Sequence, residues 1–220
     1  MSLKILFVDE LKGFYKSKVM IVLWVGLPLI SLLFRYITPE IEEFPFSSVV
    51  AIILSSIGGT LASAMLSTSI ANEKIRHVYD LFLIRPVKRV NILLAKYFSV
   101  YLCLIIATGI SLTLGLILDQ IFIGSLPEYV LNQTLESLTI SLAAMAISCS
   151  IGIFFGVIVS SVPVATILSV YIGNQISAIS ILPTIFLDFI DPIIFSLLVG
   201  CIAAVIMLTV SSILFTRKQF

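Results

Sequence analysis

The feature that most limits how this chain can fold is the length of its charge-free apolar stretches. No charged residue lies between Lys96 and Asp119, and none lies between Glu136 and Asp188. A helix of about 20 apolar residues crosses the hydrocarbon layer of a membrane. That layer offers the backbone no water to bond, so crossing segments form helices. Because 60% of the residues are hydrophobic and 11% are charged, the sequence predicts an all-α integral membrane protein.

We predict six transmembrane helices within a single transmembrane domain, residues 1–220. Their bounds are Val19–Ile37, Phe46–Ala71, Asn91–Leu118, Val130–Ser160, Val164–Leu182 and Ile193–Thr216. The fourth and fifth spans are separated at Pro163, because proline stops or kinks a helix. Without that break the count falls to five, and the termini face opposite sides of the membrane.

The basic residues predict the orientation of these spans. With the N-terminus in the cytoplasm, the inside segments are 1–18, 72–96, 161–163 and 217–220, and they hold every Lys and Arg except Arg35. Short loops rich in Lys and Arg stay on the cytoplasmic side. We therefore expect a multi-pass protein of the cytoplasmic membrane with both termini inside. The net charge of +1 gives no global field that would attract nucleic acid.

Residues 1–18 contain an amphipathic pattern ahead of the first span. One helical face carries Leu3, Leu6, Phe7, Leu11 and Phe14, and most of the other face carries Lys4, Asp9, Glu10 and Lys12. The pattern predicts an amphipathic N-terminal helix lying in the cytoplasmic membrane interface. A lysine-rich flank that only sets the topology is the alternative.

Residues 72–90 lie in the one sizeable cytoplasmic connection of the predicted topology. Ile75, Val78, Tyr79 and Phe82 recur there at helical spacing, with Arg76, His77 and Asp80 between them. Arg85 precedes Pro86 and is therefore biased away from helix, which ends the element. A compact helix of this kind suits the docking of a cytoplasmic partner. An interfacial loop kept inside by its basic residues explains the same pattern.

The stretch from Glu73 to Lys96 resembles the cytoplasmic loop of type-2 (exporter-like) ATP-binding-cassette (ABC) transporter permeases. The residues that match in type and order are Glu73, Lys74, Arg76, Asp80, Leu81, Phe82, Pro86, Val87, Arg89 and Lys96. The departures are His77 for glycine, Val78–Tyr79 for Thr-Leu, and Ala95 for the glycine before Lys96. Six spans and an amphipathic N-terminal helix extend the resemblance over the whole chain.

The resemblance implies a permease subunit that exports a substrate as a homodimer, or as a heterodimer with a similar chain. Residues 72–90 would form a coupling helix between spans two and three, seated in a groove of an ATPase subunit. The candidate docking residues are Glu73, Arg76, His77, Tyr79, Asp80, Phe82 and Arg85. The sequence has no Gly-x-x-x-x-Gly-Lys-Ser/Thr phosphate loop. ATP and Mg²⁺ are therefore expected on the partner ATPase, with no cofactor and no catalytic residue in this chain.

Small and polar residues within the spans have two open interpretations. Ser148, Gly152 and Gly156 follow one another at four-residue spacing, which is typical of close helix packing in lipid. Polar side chains at mid-span face a bundle interior or a cavity, since lipid offers them no partner. They either pack helices and dimers together or line a substrate path, for which the candidates are Ser56, Gly59, Ser63, Asn174 and Gln175. In the resembled family the first, second and fifth spans line the route, which favours a path at Asn174 and Gln175.

Four further expectations follow from the sequence. Residues 182–192, with two prolines and two aspartates, form either a re-entrant outer loop or a plain extracellular turn. A small six-span substrate-binding subunit of an uptake system is the alternative function, but it would not need a long basic docking loop. An intramembrane serine protease is disfavoured because His77, the single histidine, falls in the cytoplasmic loop. No cysteine spacing indicates a metal site.

Overall fold

The chain folds as helices throughout the part that the structure describes. The computed structural model describes residues 3–15, 24–26, 29, 32–33, 46–76, 89–123, 128–180 and 191–217. The helices are α1 (Leu3–Tyr15), α2 (Phe46–Ile75), α3 (Arg89–Ile123), α4 (Glu128–Ile158), α5 (Val162–Ser177), a short 3-10 helix (Ala178–Ser180) and α6 (Pro192–Arg217). Within these ranges there is no strand, and the all-α prediction is confirmed for them.

Among the described residues, three stretches are long and apolar enough to cross a membrane: Val90–Ile121, Leu131–Ile158 and Ile193–Arg217. They coincide with the third, fourth and sixth predicted spans, while α2 and α5 coincide in position with the second and fifth. The first predicted span is helical at its described positions, residues 24–26, 29 and 32–33. The total of six spans stays a prediction. Residues 77–88 of the predicted coupling segment (72–90) and residues 182–190 of the predicted outer loop (182–192) lie outside the described residues.

Helix α4 is the centre of the bundle. It packs extensively against α2, α5 and α6, and less extensively against α3. In its most apolar stretch 78% is buried inside the protein, against 17% in α6. Helix α6 is therefore peripheral, and most of its surface is left for lipid or for another chain.

Helices α2 and α4 approach so closely that glycine is required at the contact. A Cβ atom added to Gly152 would lie 2.7 Å from the carbonyl oxygen of Ser63, and one added to Gly156 would lie 2.9 Å from Cβ of Ile70. Both distances are shorter than van der Waals contact. The four-residue spacing of these glycines thus serves packing between two helices of the same chain.

Helices α4 and α5 are separated by the three non-helical residues 159–161. Ser161 occupies the position before α5 with extended backbone angles, and Pro163 lies in the first turn of the helix. Proline is tolerated there because the first N–H groups of a helix have no intrahelical partner. The backbone N–H of Ala165 donates to the carbonyl of Ser161 at 2.9 Å, which starts the helical ladder.

Candidate functional site

A buried ion cluster joins three helices at one end of the bundle. The ammonium of Lys96, on α3, lies 2.6 Å from Oε1 of Glu73 on α2 and 2.9 Å from Oε1 of Glu10 on α1. It also donates to Oγ of Ser69 at 3.4 Å. An ammonium has three N–H donors, so each has an acceptor here. The Lys96 side chain is 2% exposed, whereas each carboxylate is 26% exposed.

The same turn of α2 is attached to α4 through the next residue. Nζ of Lys74 donates to the carbonyl oxygens of Val157 and Val159, at 3.2 and 3.4 Å. The last carbonyls of a helix have no intrahelical partner and carry partial negative charge, so a lysine there both satisfies them and interacts favourably with the helix dipole. Glu73 and Lys74 together form a two-sided anchor that fixes the end of α2 to α3 and α1 on one side and to α4 on the other.

Helix α1 is held against α3 by its apolar face. Leu6 is buried, and Phe7, Leu11 and Phe14 pack against the same hydrophobic cluster. The hydroxyl of Ser99, on α3, donates to the carbonyl of Phe7 at 3.3 Å. The amphipathic pattern thus provides an apolar face for protein packing. Exposed on α1 are Lys4, Ile5, Val8, Asp9 and Lys12, a mixture suited to a membrane interface.

The predicted docking residues lie partly inside the described region. Glu73 belongs to the ion cluster, and Arg76 is exposed at the point where α2 has ended. His77, Tyr79, Asp80, Phe82 and Arg85 lie outside the described residues. ATPase docking at these seven positions therefore stays a prediction.

The candidate path residues fall into two environments. Gly59 and Ser63 are buried between helices: a Cβ atom added to Gly59 would lie 2.9 Å from Oγ of Ser148, and Ser63 has no exposed surface. Ser56, Asn174 and Gln175 are exposed. In this conformation the first pair contributes to packing, and the other three present polar groups on the outer surface of the chain.

The two faces of α5 differ in the size and polarity of their side chains. Ala165, Ser169, Gly173 and Ser177 are buried; the hydroxyl of Ser169 donates to the carbonyl of Ser63 at 3.3 Å and lies 2.8 Å from Oγ of Ser67. The opposite face exposes Val164, Ile167, Tyr171 and Asn174 at intervals of three and four residues. One face is therefore built of small residues for packing on α2 and α4, while large residues cover the other.

Contacts with α4 give the depth of the two exposed amides. The carbonyl of Gly173 accepts a hydrogen bond from Ser148 at 3.5 Å, and Ser148 lies near the middle of the stretch Leu131–Ile158. Asn174 and Gln175 follow directly, so they lie close to mid-depth of the bundle. Amide side chains at this depth are costly in lipid unless water or another polar group solvates them.

The sequence patterns missed the role of Glu10 and the burial of Lys96. Glu10 was assigned to the polar face of α1 and Lys96 to the charges that set topology. A usable signal was present at Lys96, because Ile92, Leu93 and Val100 lie three or four residues away on the same helical face and are buried with it. A lysine within such an apolar stripe requires an anionic partner. Among the described residues, no group of three His, Cys, Asp or Glu side chains could hold a metal ion.

Comparison with known families agrees with this architecture. A family model described as "ABC-2 family transporter protein" matches residues 11–220, which include all of α2 to α6. No curated protein matches the chain. The resemblance found at residues 73–96 is thereby confirmed for nearly the whole sequence. This multi-pass membrane protein belongs to the ABC-2 transporter family, as a permease component of an ATP-binding-cassette system.

Proposed function

We propose that the chain is an export permease driven by separate ATPase subunits, which bind ATP and Mg²⁺ and dock on residues 72–90. ABC-2 membrane proteins typically work with ATPase subunits. The two-sided anchor is the observation that carries the proposal. Glu73 and Lys74, at the start of this segment, fasten the end of α2 to its neighbours.

The anchor supports a rigid-body mechanism. A displacement of the coupling segment reaches α2 through its last turn. Because Glu73 holds Lys96 and Lys74 holds the end of α4, that turn cannot shift without displacing α3 and α4. Closure of the ATPase subunits on ATP would therefore move several spans together, between inward- and outward-open arrangements.

The distribution of charge supports a cytoplasmic position for the anchor. The contacts described above bring α1, the end of α2, the start of α3 and the end of α4 to one end of the bundle. Basic residues at that end include Lys4, Lys12, Lys74, Arg76, Arg89 and Lys96, whereas Asp119, Glu128, Glu136 and Asp191 belong to the opposite end. Basic residues close to membrane spans favour the cytoplasmic side.

Reversing the charge of Arg76 is expected to impair ATPase docking. Arg76→Glu should weaken association with the ATPase at least about tenfold, which corresponds to about 1.4 kcal/mol, and reduce stimulation of ATP hydrolysis, since a misplaced charge in an interface costs several kcal/mol. Arg217→Glu is the matched control, because Arg217 is an exposed arginine at the end of α6. Unchanged association and stimulation in Arg76→Glu would contradict the coupling assignment.

We also propose that the exposed face of α5 borders the substrate path between two copies of the chain, or between this chain and a similar one. Its large residues at heptad-like spacing suit packing against a second helix. Asn174 and Gln175 then face the route through the dimer instead of lipid. Ser56 on α2 is the third exposed candidate.

Accessibility to a water-soluble thiol reagent tests this path. In a Cys201→Ser background, Gln175→Cys in membranes should react with a charged maleimide. Ile202→Cys should react at least about tenfold more slowly. Ile202 is a suitable control because it is 56% exposed on peripheral α6 at similar depth: its neighbour Gly200 packs against Ala143 of α4. Equal rates at the two positions would contradict a water-lined path at α5.

A further inference from the structure

Helix α1 is attached to α3 by packing and to α2 by ion pairs that share Lys96. Among the described helices, α1 packs against α3 alone. Its apolar side chains and the bond from Ser99 to Phe7 both involve α3. The contact between α1 and α2 that the structure describes runs through a single side chain, Lys96, whose ammonium bonds to Glu10 and Glu73 together.

On the α2 side of this bridge, each of three polar groups is hydrogen-bonded to the other two. Glu73 accepts from Lys96 at 2.6 Å and from the hydroxyl of Ser69 at 3.2 Å, and Lys96 also donates to Ser69. Ser69 and Glu73, in the last two turns of α2, thus bond to each other and to Lys96 of α3. The bond from Lys96 to Glu10 joins α1 to these three groups.

The charges make the bridge depend on the lysine. One ammonium stands between two carboxylates, and two carboxylates without a cation between them repel each other. Loss of the Lys96 charge therefore removes the link between α1 and α2 and leaves a repulsion, which hydration of the two partly exposed carboxylates weakens. The apolar packing of α1 on α3 remains, so the helix loses its link to α2 and keeps its place on α3.

We infer that Lys96 is a positioning residue for energy coupling: by holding Glu10 and Glu73 at once, it makes α1 respond when the coupling segment displaces α2. This inference rests on the proposed function, since the displacement of α2 is attributed to ATPase docking. It assigns to α1 a part in the transport cycle beyond packing at the membrane interface. The movement reaches α1 at Glu10, midway along the helix.

The sharpest variant removes the α1 side of the bridge alone. Glu10→Met leaves Lys96 bonded to Glu73 and Ser69, and Lys12→Met is the matched control, since it replaces an exposed charge on the same helix. Amide hydrogen exchange is followed in the assembled permease–ATPase complex, with and without ATP plus vanadate. Without nucleotide, α1 amides in Glu10→Met should exchange about tenfold faster than in wild type, a ratio that corresponds to about 1.4 kcal/mol.

The response to nucleotide decides the inference. In wild type and Lys12→Met, nucleotide should alter exchange both in residues 69–76 and in α1. In Glu10→Met, residues 69–76 should still respond while the response of α1 is lost, and Lys96→Met should behave likewise. A full α1 response in Glu10→Met overturns the inference and leaves the proposed function standing. If residues 69–76 of wild type do not respond, the proposed function fails first and the inference fails with it.

Discussion

Replacing Gly152 by valine is expected to prevent stable folding of this permease. The new Cβ atom would lie 2.7 Å from the carbonyl oxygen and 2.9 Å from Cα of Ser63. Both are backbone atoms of α2, so the clash cannot be relieved by rotating a side chain, and α2 and α4 must separate. Overpacking typically costs 1–3 kcal/mol, and we expect about 3 kcal/mol or more here.

Gly109→Val is the matched control for that substitution. Gly109 also lies within a helix, α3, but a Cβ atom added to it meets no atom within 4 Å. Valine has a somewhat higher helix propensity than glycine, so this control should be neutral or slightly stabilising. The measurement is the fraction of protein that remains monodisperse in detergent after heating. Equal behaviour of the two variants would mean that α2 and α4 are not in backbone contact at Gly152.

The double variant Glu10→Gln/Glu73→Gln is expected to have the second largest effect. It leaves the ammonium of Lys96 buried without an anionic partner, and removing the partners of a buried charge costs about 3–5 kcal/mol. Lys96→Met should be less destabilising, because it removes the buried charge and leaves two carboxylates that are each 26% exposed and can be hydrated. Thermal unfolding of the detergent-solubilised permease measures both.

The order of the two stabilities is the decisive result. Asp9→Asn serves as control, since Asp9 is an exposed carboxylate next to Glu10 on α1, and it should unfold as wild type does. If the double glutamine variant is as stable as Lys96→Met, the charge of Lys96 is not isolated from water, and the two carboxylates are not needed to stabilise it.

The helices were predictable from the sequence because lipid imposes a simple rule on the backbone. Charge-free stretches longer than the hydrocarbon layer must be helical, and Pro163 marks the division between α4 and α5. The spacing of Gly152 and Gly156 predicted close packing. Their partner, α2, could not be named, because spacing along one helix says nothing about which neighbour it faces.

The ion cluster was less predictable for a different reason. A carboxylate on an amphipathic helix is solvated by default, so Glu10 carried no sign of an inward direction. Its partner Lys96 is distant along the chain and belongs to another helix. For the candidate path residues too, the sequence does not show which are buried and which are exposed. Ser56 and Ser63 lie on one span with similar chemistry, and only the packing of α4 and α5 on α2 separates the exposed residue from the buried one.

The peripheral position of α6 has a consequence for how this protein can vary. Its contacts with the bundle run along one stripe, Ser196, Gly200, Ala204, Ser211 and Phe215, which are all buried. Exposed α6 residues such as Leu198, Ile202 and Val205 carry little packing constraint from the part of the chain that the structure describes. Substitutions there can follow the thickness and composition of the host membrane while the α2–α4–α5 core is preserved. During synthesis, α6 emerges after α1 to α5, so it can dock on a surface that those helices have already formed.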